Sequence, residues 1–279
     1  MYLALNNQLT TGRVPWPAFA RLAAKVGYRG VDVMLGAAFK EGVPKTNSLL
    51  NQLHLKPAML DFPVEFRKDE GTFRESLTHL ESAAQFAAAI DCPRMMTYLM
   101  PSSDTPKKEL RALYKERFTR SADILARSHV RLGLEFLGPL HLRRMFKYEF
   151  IWRMPEMLEF AKECGSNVGL TLDTWHWHFA EGTTHDIIDA GKDRIVTVHF
   201  NDAPNLPPDQ IRDNERLMPG EGVIDLTGFL HALQKIGYED ALSVEVFGHH
   251  LSDMTPEEGA RMGLRTGRAV LQQAGVVES

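Results

Sequence analysis

Short runs of aliphatic, β-branched and aromatic residues alternate with longer amphipathic stretches from one end of this chain to the other. The short runs are YLALN (2–6), GVDVM (30–34), PAML (57–60), RMMTYL (94–99), RLGLEFL (131–137), VGLTLD (168–173), IVTVHF (195–200) and ALSVEVF (241–247). Between them the apolar period becomes helical, longest over Thr72–Ile90, Lys107–Ser128 and Thr255–Ala274. Eight strands, each followed by a helix, predict a parallel sheet closed into a (β/α)8 TIM barrel. No Pro- or Gly-rich linker divides the chain, so residues 1–279 are expected to form one barrel domain. The stretch 201–222 reads as a long loop after the seventh strand, and a loop at that end of a barrel usually carries function.

Within the last four strands the period-two alternation separates two faces. Leu132, Leu134 and Phe136 oppose Gly133 and Glu135; Leu170 and Leu172 oppose Gly169, Thr171 and Asp173. Val196, Val198 and Phe200 oppose Thr197 and His199; Leu242, Val244 and Val246 oppose Ala241, Ser243 and Glu245. The large apolar face packs against helices. The small or polar face points into the barrel, with Gly133, Thr171, Thr197 and Ser243 one layer beneath Glu135, Asp173, His199 and Glu245.

Those four residues stand near the C-terminal ends of consecutive strands, 38, 26 and 46 residues apart. Barrels place their chemistry at that end. Three carboxylates and one imidazole form a mixed oxygen–nitrogen donor set suited to one divalent ion: Mn²⁺, Zn²⁺, Co²⁺ or Mg²⁺. Such an ion polarises a carbonyl, acidifies the neighbouring C–H and stabilises an enediolate. Glu135 and Glu245 end the row, so they are candidate acid/base groups as well as metal ligands. His176, three residues past Asp173, is expected on the loop above the ion as a substrate hydrogen-bonder or proton shuttle. Arg216 reads either as a clamp on a substrate oxygen or as an exposed loop arginine. Trp175 and Trp177 either wall the pocket or simply pack, and His178 is left to the loop or to a place behind the ligands. Asn6 and Asp32 either reach the mouth from the far side or cap turns. His249 and His250 read as a solvent-exposed loop, as does the basic run His141–Lys147. Pro219–Gly222 (PGEG) is a turn signal.

Composition narrows the classes. The chain is 44% hydrophobic and 24% charged with a net charge of −4, ordinary for a soluble globular protein. No basic run suggests a nucleic-acid partner, and no apolar stretch is long enough for a membrane. The first ten residues lack the pattern of a signal peptide. Cys92 and Cys164 form no metal-spacing motif, and a reduced, cytoplasmic setting is expected.

The segments GLEFLG (133–138), GLTLDTWHWH (169–178), VHFND (198–202), RLMPGEGVID (216–225) and LSVEVF (242–247) resemble the xylose isomerase-like TIM barrels, the sugar phosphate isomerase/epimerase superfamily. The likeness is strongest to the inosose (2-keto-myo-inositol) isomerase branch and extends to GYRGVDV (27–33), with Asp32 where Glu is common. The resemblance implies one divalent metal on Glu135, Asp173, His199 and Glu245, proton transfer by the two glutamates, and substrate contacts from His176 and Arg216. It implies an isomerase or epimerase acting on a polyol ketone or ketose through an enediolate; the alternative is a dehydratase of inosose or 3-dehydroshikimate. Ketose 3-epimerases carry an acid six residues past the strand-five Glu, where this chain has His141. Dimers and tetramers are common in the family, which admits a homo-oligomer.

Overall fold

A computed structural model describes residues 1–279. Eight strands, β1 (Tyr2–Leu5), β2 (Gly30–Val33), β3 (Lys56–Asp61), β4 (Arg94–Leu99), β5 (Arg131–Phe136), β6 (Val168–Asp173), β7 (Ile195–Phe200) and β8 (Ala241–Val244), close into a barrel. Every neighbouring pair is parallel, and β1 seals the ring by pairing with both β2 and β8. This is the expected TIM architecture. The apolar faces of the strands pack outward on the helices in one cluster of 76 buried residues, which includes Leu132, Leu170, Val198 and Leu242. Inside, Gly133 pairs with Gly169, and a Cβ on Gly133 would collide with Thr171 Oγ1. Glycine there lets two strands approach at the layer just below the mouth.

The opposite end of the barrel is plugged. Arg94 donates to the carbonyls of Ala58 (2.6 Å) and Pro57 (2.8 Å) and pairs with Asp240 (2.6 Å), which also accepts the Tyr2 hydroxyl (2.9 Å). That leaves the C-terminal end of the strands as the open one. The last helix, Pro256–Gln273, starts as its sequence dictates: Thr255 and Glu258 cap each other's backbone N–H and Pro256 takes the first turn.

Three details differ from the sequence reading. The helix expected over Thr72–Ile90 is two, Glu70–Thr78 and Leu80–Ala89, because the His79 N–H bonds the carbonyl of Ser76, three residues back rather than four. The eighth strand stops at Val244, so Glu245 lies one residue beyond the sheet. A two-residue antiparallel pair, Ser102–Ser103 with Tyr148–Glu149, ties together the loops after β4 and β5. No helix is long and apolar enough to cross a membrane.

Candidate metal centre

Glu135 and His199 lie within β5 and β7, Asp173 ends β6, and Glu245 follows β8. Register brings them together: Asp173 pairs with His199, and His199 with Ser243, two residues before Glu245. One ligand-type atom from each of the four lies within 4.8 Å of the others. His199 Nδ1 is the hub, 2.9 Å from Glu135 Oε1, 3.2 Å from Glu245 Oε2 and 3.8 Å from Asp173 Oδ2. With metal–ligand bonds of about 2.1 Å, neighbouring donors around one ion sit roughly 3.0–3.4 Å apart and opposite ones about 4.2 Å. The donor set therefore fits a single ion after shifts of a few tenths of an ångström.

Charge points the same way. Asp173 and His199 are fully buried and Glu135 is 5% exposed. With His199 neutral, as a metal ligand must be, one guanidinium, Arg216, is set against three carboxylates, which leaves two negative charges for a divalent cation to neutralise. Burial pushes His199 down, but Glu245 and Glu135 outweigh it and hold the imidazole well above its ordinary value. Burial would raise Asp173, yet the Arg216 guanidinium beside it brings it down to about 2. The two glutamates diverge. Burial raises Glu135 above the usual range, whereas His199 and Arg216 overcome burial and lower Glu245.

Asp173 is oriented by four donors. Its Oδ1 accepts from the backbone N–H of Trp175 (2.7 Å) and His176 (3.4 Å), capping the helix Thr174–Phe179, and from Asn201 Nδ2 (3.1 Å). Its Oδ2 takes Arg216 Nη1 at 2.7 Å and faces His199. Only Oδ2 remains for a metal, so Asp173 can offer a single oxygen. Asn201 also donates to the carbonyl of Glu245 (3.1 Å), tying the ends of β6, β7 and β8 together.

Arg216 is not on an exposed loop. It is 2% exposed, and its Nη1 bridges Asp173 Oδ2 (2.7 Å) and Glu245 Oε2 (3.0 Å). Its Nη2 donates to Asp213 (3.0 Å) and to His176 Nε2 (3.1 Å). A guanidinium can only donate, so His176 Nε2 accepts and its proton sits on Nδ1. His176 stands in the first turn of a helix rather than on a loop, since Asp173 caps that turn. Trp175 and Trp177 are packing residues: their rings meet Phe179 at 4.8 Å and Phe229 at 5.2 Å. His250 is exposed, as expected, while His249 pairs with Glu221 at 2.6 Å. Cys92 and Cys164 are buried and free.

The far side of the mouth carries a second network. Asp32 Oδ2 accepts from Ser243 Oγ (2.5 Å) and Asn6 Nδ2 (2.8 Å), and burial pushes its carboxyl up to about 7. The thin sequence signal at Asn6 and Asp32 thus marks residues that do reach the centre of the barrel. Buried polar atoms without a protein partner gather at this end: Asp32 Oδ1, Thr171 Oγ1, His176 Nδ1, Thr197 Oγ1 and His199 Nε2. Such orphans collect where ligand or water completes a site. Sequence reasoning missed Asn201 and Asp213. The signal for Asn201 was available, because it follows His199 by two and shares its inward face. Asp213 is revealed only by its contact with Arg216.

Residues 20–270 match the family described as Xylose isomerase-like TIM barrel. The inosose isomerase of Bacillus velezensis is 28% identical over 224 residues, 79% of this chain and 77% of that protein. A xylose isomerase domain protein from Alicyclobacillus acidocaldarius superposes with a TM-score of 0.90 at 28% identity, covering 99% of both chains. An IolI protein solved with a bound zinc atom has the same fold, with a TM-score of 0.83 at 24% identity over 98% of this chain and 99% of that one. The 3-dehydroshikimate dehydratase of Pseudomonas aeruginosa is 31% identical over 157 residues, 56% of this chain and 24% of that protein.

Proposed function

The chain belongs to the xylose isomerase-like TIM barrel family, and from that premise we propose that it is a divalent-metal-dependent isomerase or epimerase of a sugar or cyclitol ketone. The inosose isomerase relatives support the cyclitol side of this reading. Glu135, Asp173, His199 and Glu245 are the residues that would hold the ion, which when bound supplies Lewis-acid polarisation of the substrate carbonyl.

The rest is the work of the chain. Glu245, lowered and open to the mouth, takes the proton from the carbon beside the carbonyl. Glu135, raised by burial, returns one to the enediolate at the neighbouring carbon or the opposite face. The first outcome, with the hydroxyl proton passing to the former carbonyl oxygen, is isomerisation, and the second is epimerisation. His176 Nδ1–H, left without a protein acceptor, holds a substrate oxygen, and Arg216 fixes its tautomer from behind. The observation that carries the reading is the convergence of four ligand atoms within 4.8 Å of one another at the barrel mouth.

The test is solvent exchange. Metal-loaded protein incubated in D₂O with inososes and ketoses should place deuterium on the carbon next to the carbonyl. Glu245→Gln should abolish uptake with an unchanged circular dichroism spectrum; full uptake in that variant removes its role as base. A dehydratase is the second reading, favoured by the likeness to 3-dehydroshikimate dehydratase. It shares the first proton abstraction and then expels a β-hydroxyl, so a conjugated, ultraviolet-absorbing product decides for it.

A further inference from the structure

Across the barrel mouth from the candidate metal centre, on the β2–β3 side, lies a cavity of about 470 Å³ that none of the four ligand candidates lines. Met34, Leu35, Gly36 and Phe39 form one wall, from the turn after β2 and the helix Leu35–Glu41. Pro63, just past β3, forms another, and Asp61, the last residue of β3, stands at the edge. Asp61 belongs to the barrel mouth as well: partial burial and the charge of Glu245 push its carboxyl up, and His199 pulls it down. Asp61 is the residue the two share: it lines the cavity and feels the charges of Glu245 and His199.

The cavity is large enough for a small-molecule group; ligand sites span roughly 300–1,000 Å³. Met34, Leu35, Phe39, Pro63 and Ala83 make the apolar part of its lining and Asp61, His79 and Ser82 the polar part; Phe39 remains 43% exposed even though its ring packs on Phe86 at 5.4 Å. Six of the eight exposed large apolar residues, Phe39, Tyr98, Met145, Phe146, Leu206 and Val223, lie at this end of the barrel. Gly36 is the telling position. Its φ is ordinary, yet a Cβ there would meet nothing within 4 Å. Glycine is the poorest helix former after proline, so neither the backbone nor the helix asks for it in this first turn. What it leaves is open space against an apolar wall.

We propose that this cavity is a subsite for an aromatic substituent, so that the substrate is an aryl-bearing sugar or cyclitol ketone rather than a bare polyol. A bare cyclitol is polar on every edge and would leave the apolar wall in water, whereas a flat ring buries against Phe39 and Met34 while its polyol reaches past Asp61. The inference rests on the reading of the metal centre as the place where the ketone is handled.

The experiment compares phenyl and methyl β-D-glucopyranoside as probes, by titration of the metal-loaded full-length protein. The phenyl glycoside should bind about tenfold tighter. Gly36→Leu extends from a Cβ that meets nothing within 4 Å into the open space, and it favours the helix. It should bring the ratio to about one while leaving the methyl glycoside's Kd and the bound metal unchanged and the melting temperature no lower. Equal affinities in the parent protein, no measurable binding of the phenyl glycoside at millimolar concentration, or a preference that survives Gly36→Leu overturns the subsite. Metal analysis separates the two readings. A phenyl preference lost in Gly36→Leu, in protein whose four candidate ligands hold no metal, sinks the isomerase reading alone. Stoichiometric metal with solvent exchange but equal glycoside affinities sinks the subsite alone.

Discussion

Asn201→Asp changes one nitrogen to an oxygen at the position that joins three strand ends. The residue is fully buried, and its amide nitrogen donates to Asp173 Oδ1 and to the Glu245 carbonyl, both at 3.1 Å. In the variant a carboxylate oxygen faces two acceptors. Two lost bonds at about 1–1.5 kcal/mol each bring the cost to roughly 3 kcal/mol, before any repulsion from Asp173. For 279 residues the entropy of unfolding is about 0.6 kcal/mol per kelvin, so the melting temperature should fall by about 5 °C. Because Asn201 orients Asp173 and the backbone of Glu245, affinity for Mn²⁺ or Zn²⁺ should fall tenfold to a hundredfold. Calorimetric metal titration and thermal melting of the same preparation read both quantities. A variant that melts normally and binds metal with parental affinity would refute the argument that Asn201 holds the ligands in place.

Asp32→Asn probes the other network. An acid whose folded value is raised, here to about 7 from 3.8, is protonated more readily in the fold. Its contribution is therefore present below about pH 4 and is lost as pH rises toward 7, by up to about 4 kcal/mol. In metal-free protein the stability difference between Asp32→Asn and its parent should grow in the variant's favour across that window; a flat difference removes the shift. Arg216→Ala should raise KM more than it lowers kcat, and should destabilise the metal-free protein by about 3–5 kcal/mol by leaving Asp173 and Glu245 without their counter-ion. An unchanged KM counts against the role of Arg216 behind His176. Gly138→Ala places a methyl 2.5 Å from the His176 carbonyl, 2.6 Å from the Ala180 nitrogen and 2.8 Å from the Phe179 carbonyl carbon. All three are backbone and cannot rotate away, so a loss of about 1–3 kcal/mol is expected in a urea melt; a parental midpoint refutes the close approach.

The barrel was legible because its strands are short apolar runs at a steady spacing, and facing followed from alternation: Thr171, Thr197 and Ser243 are all buried beneath the mouth, as parity requires. Glu135, Asp173, His199 and Glu245 were legible for the same reason. What escaped depends on where loops go. Parity ends with the strand, so nothing in the chain says that Arg216 folds back under Trp175 and Phe247 or that Asp213 comes with it. The tryptophans in WHWH show the converse. Their motif left a pocket wall and plain packing both open, and a capped helix turn directs both rings into packing against Phe179 and Phe229.

The long segment after β7 closes on itself. Asp202 and Leu217 exchange both backbone hydrogen bonds, at 3.0 and 2.9 Å, and the Asp202 carboxylate accepts the N–H groups of Ala203, Gly220, Gly222 and Ile224 at 2.8–3.1 Å. Arg216 sits at this neck, its own N–H bonded to the Phe247 carbonyl at 3.2 Å, so its position does not depend on what the tip looks like. Residues 204–210, ahead of the fully buried Ile211, are therefore an interchangeable part. They can be shortened, lengthened or swapped between relatives to reshape what enters the barrel, while the clasp at their base leaves the chemistry beneath untouched.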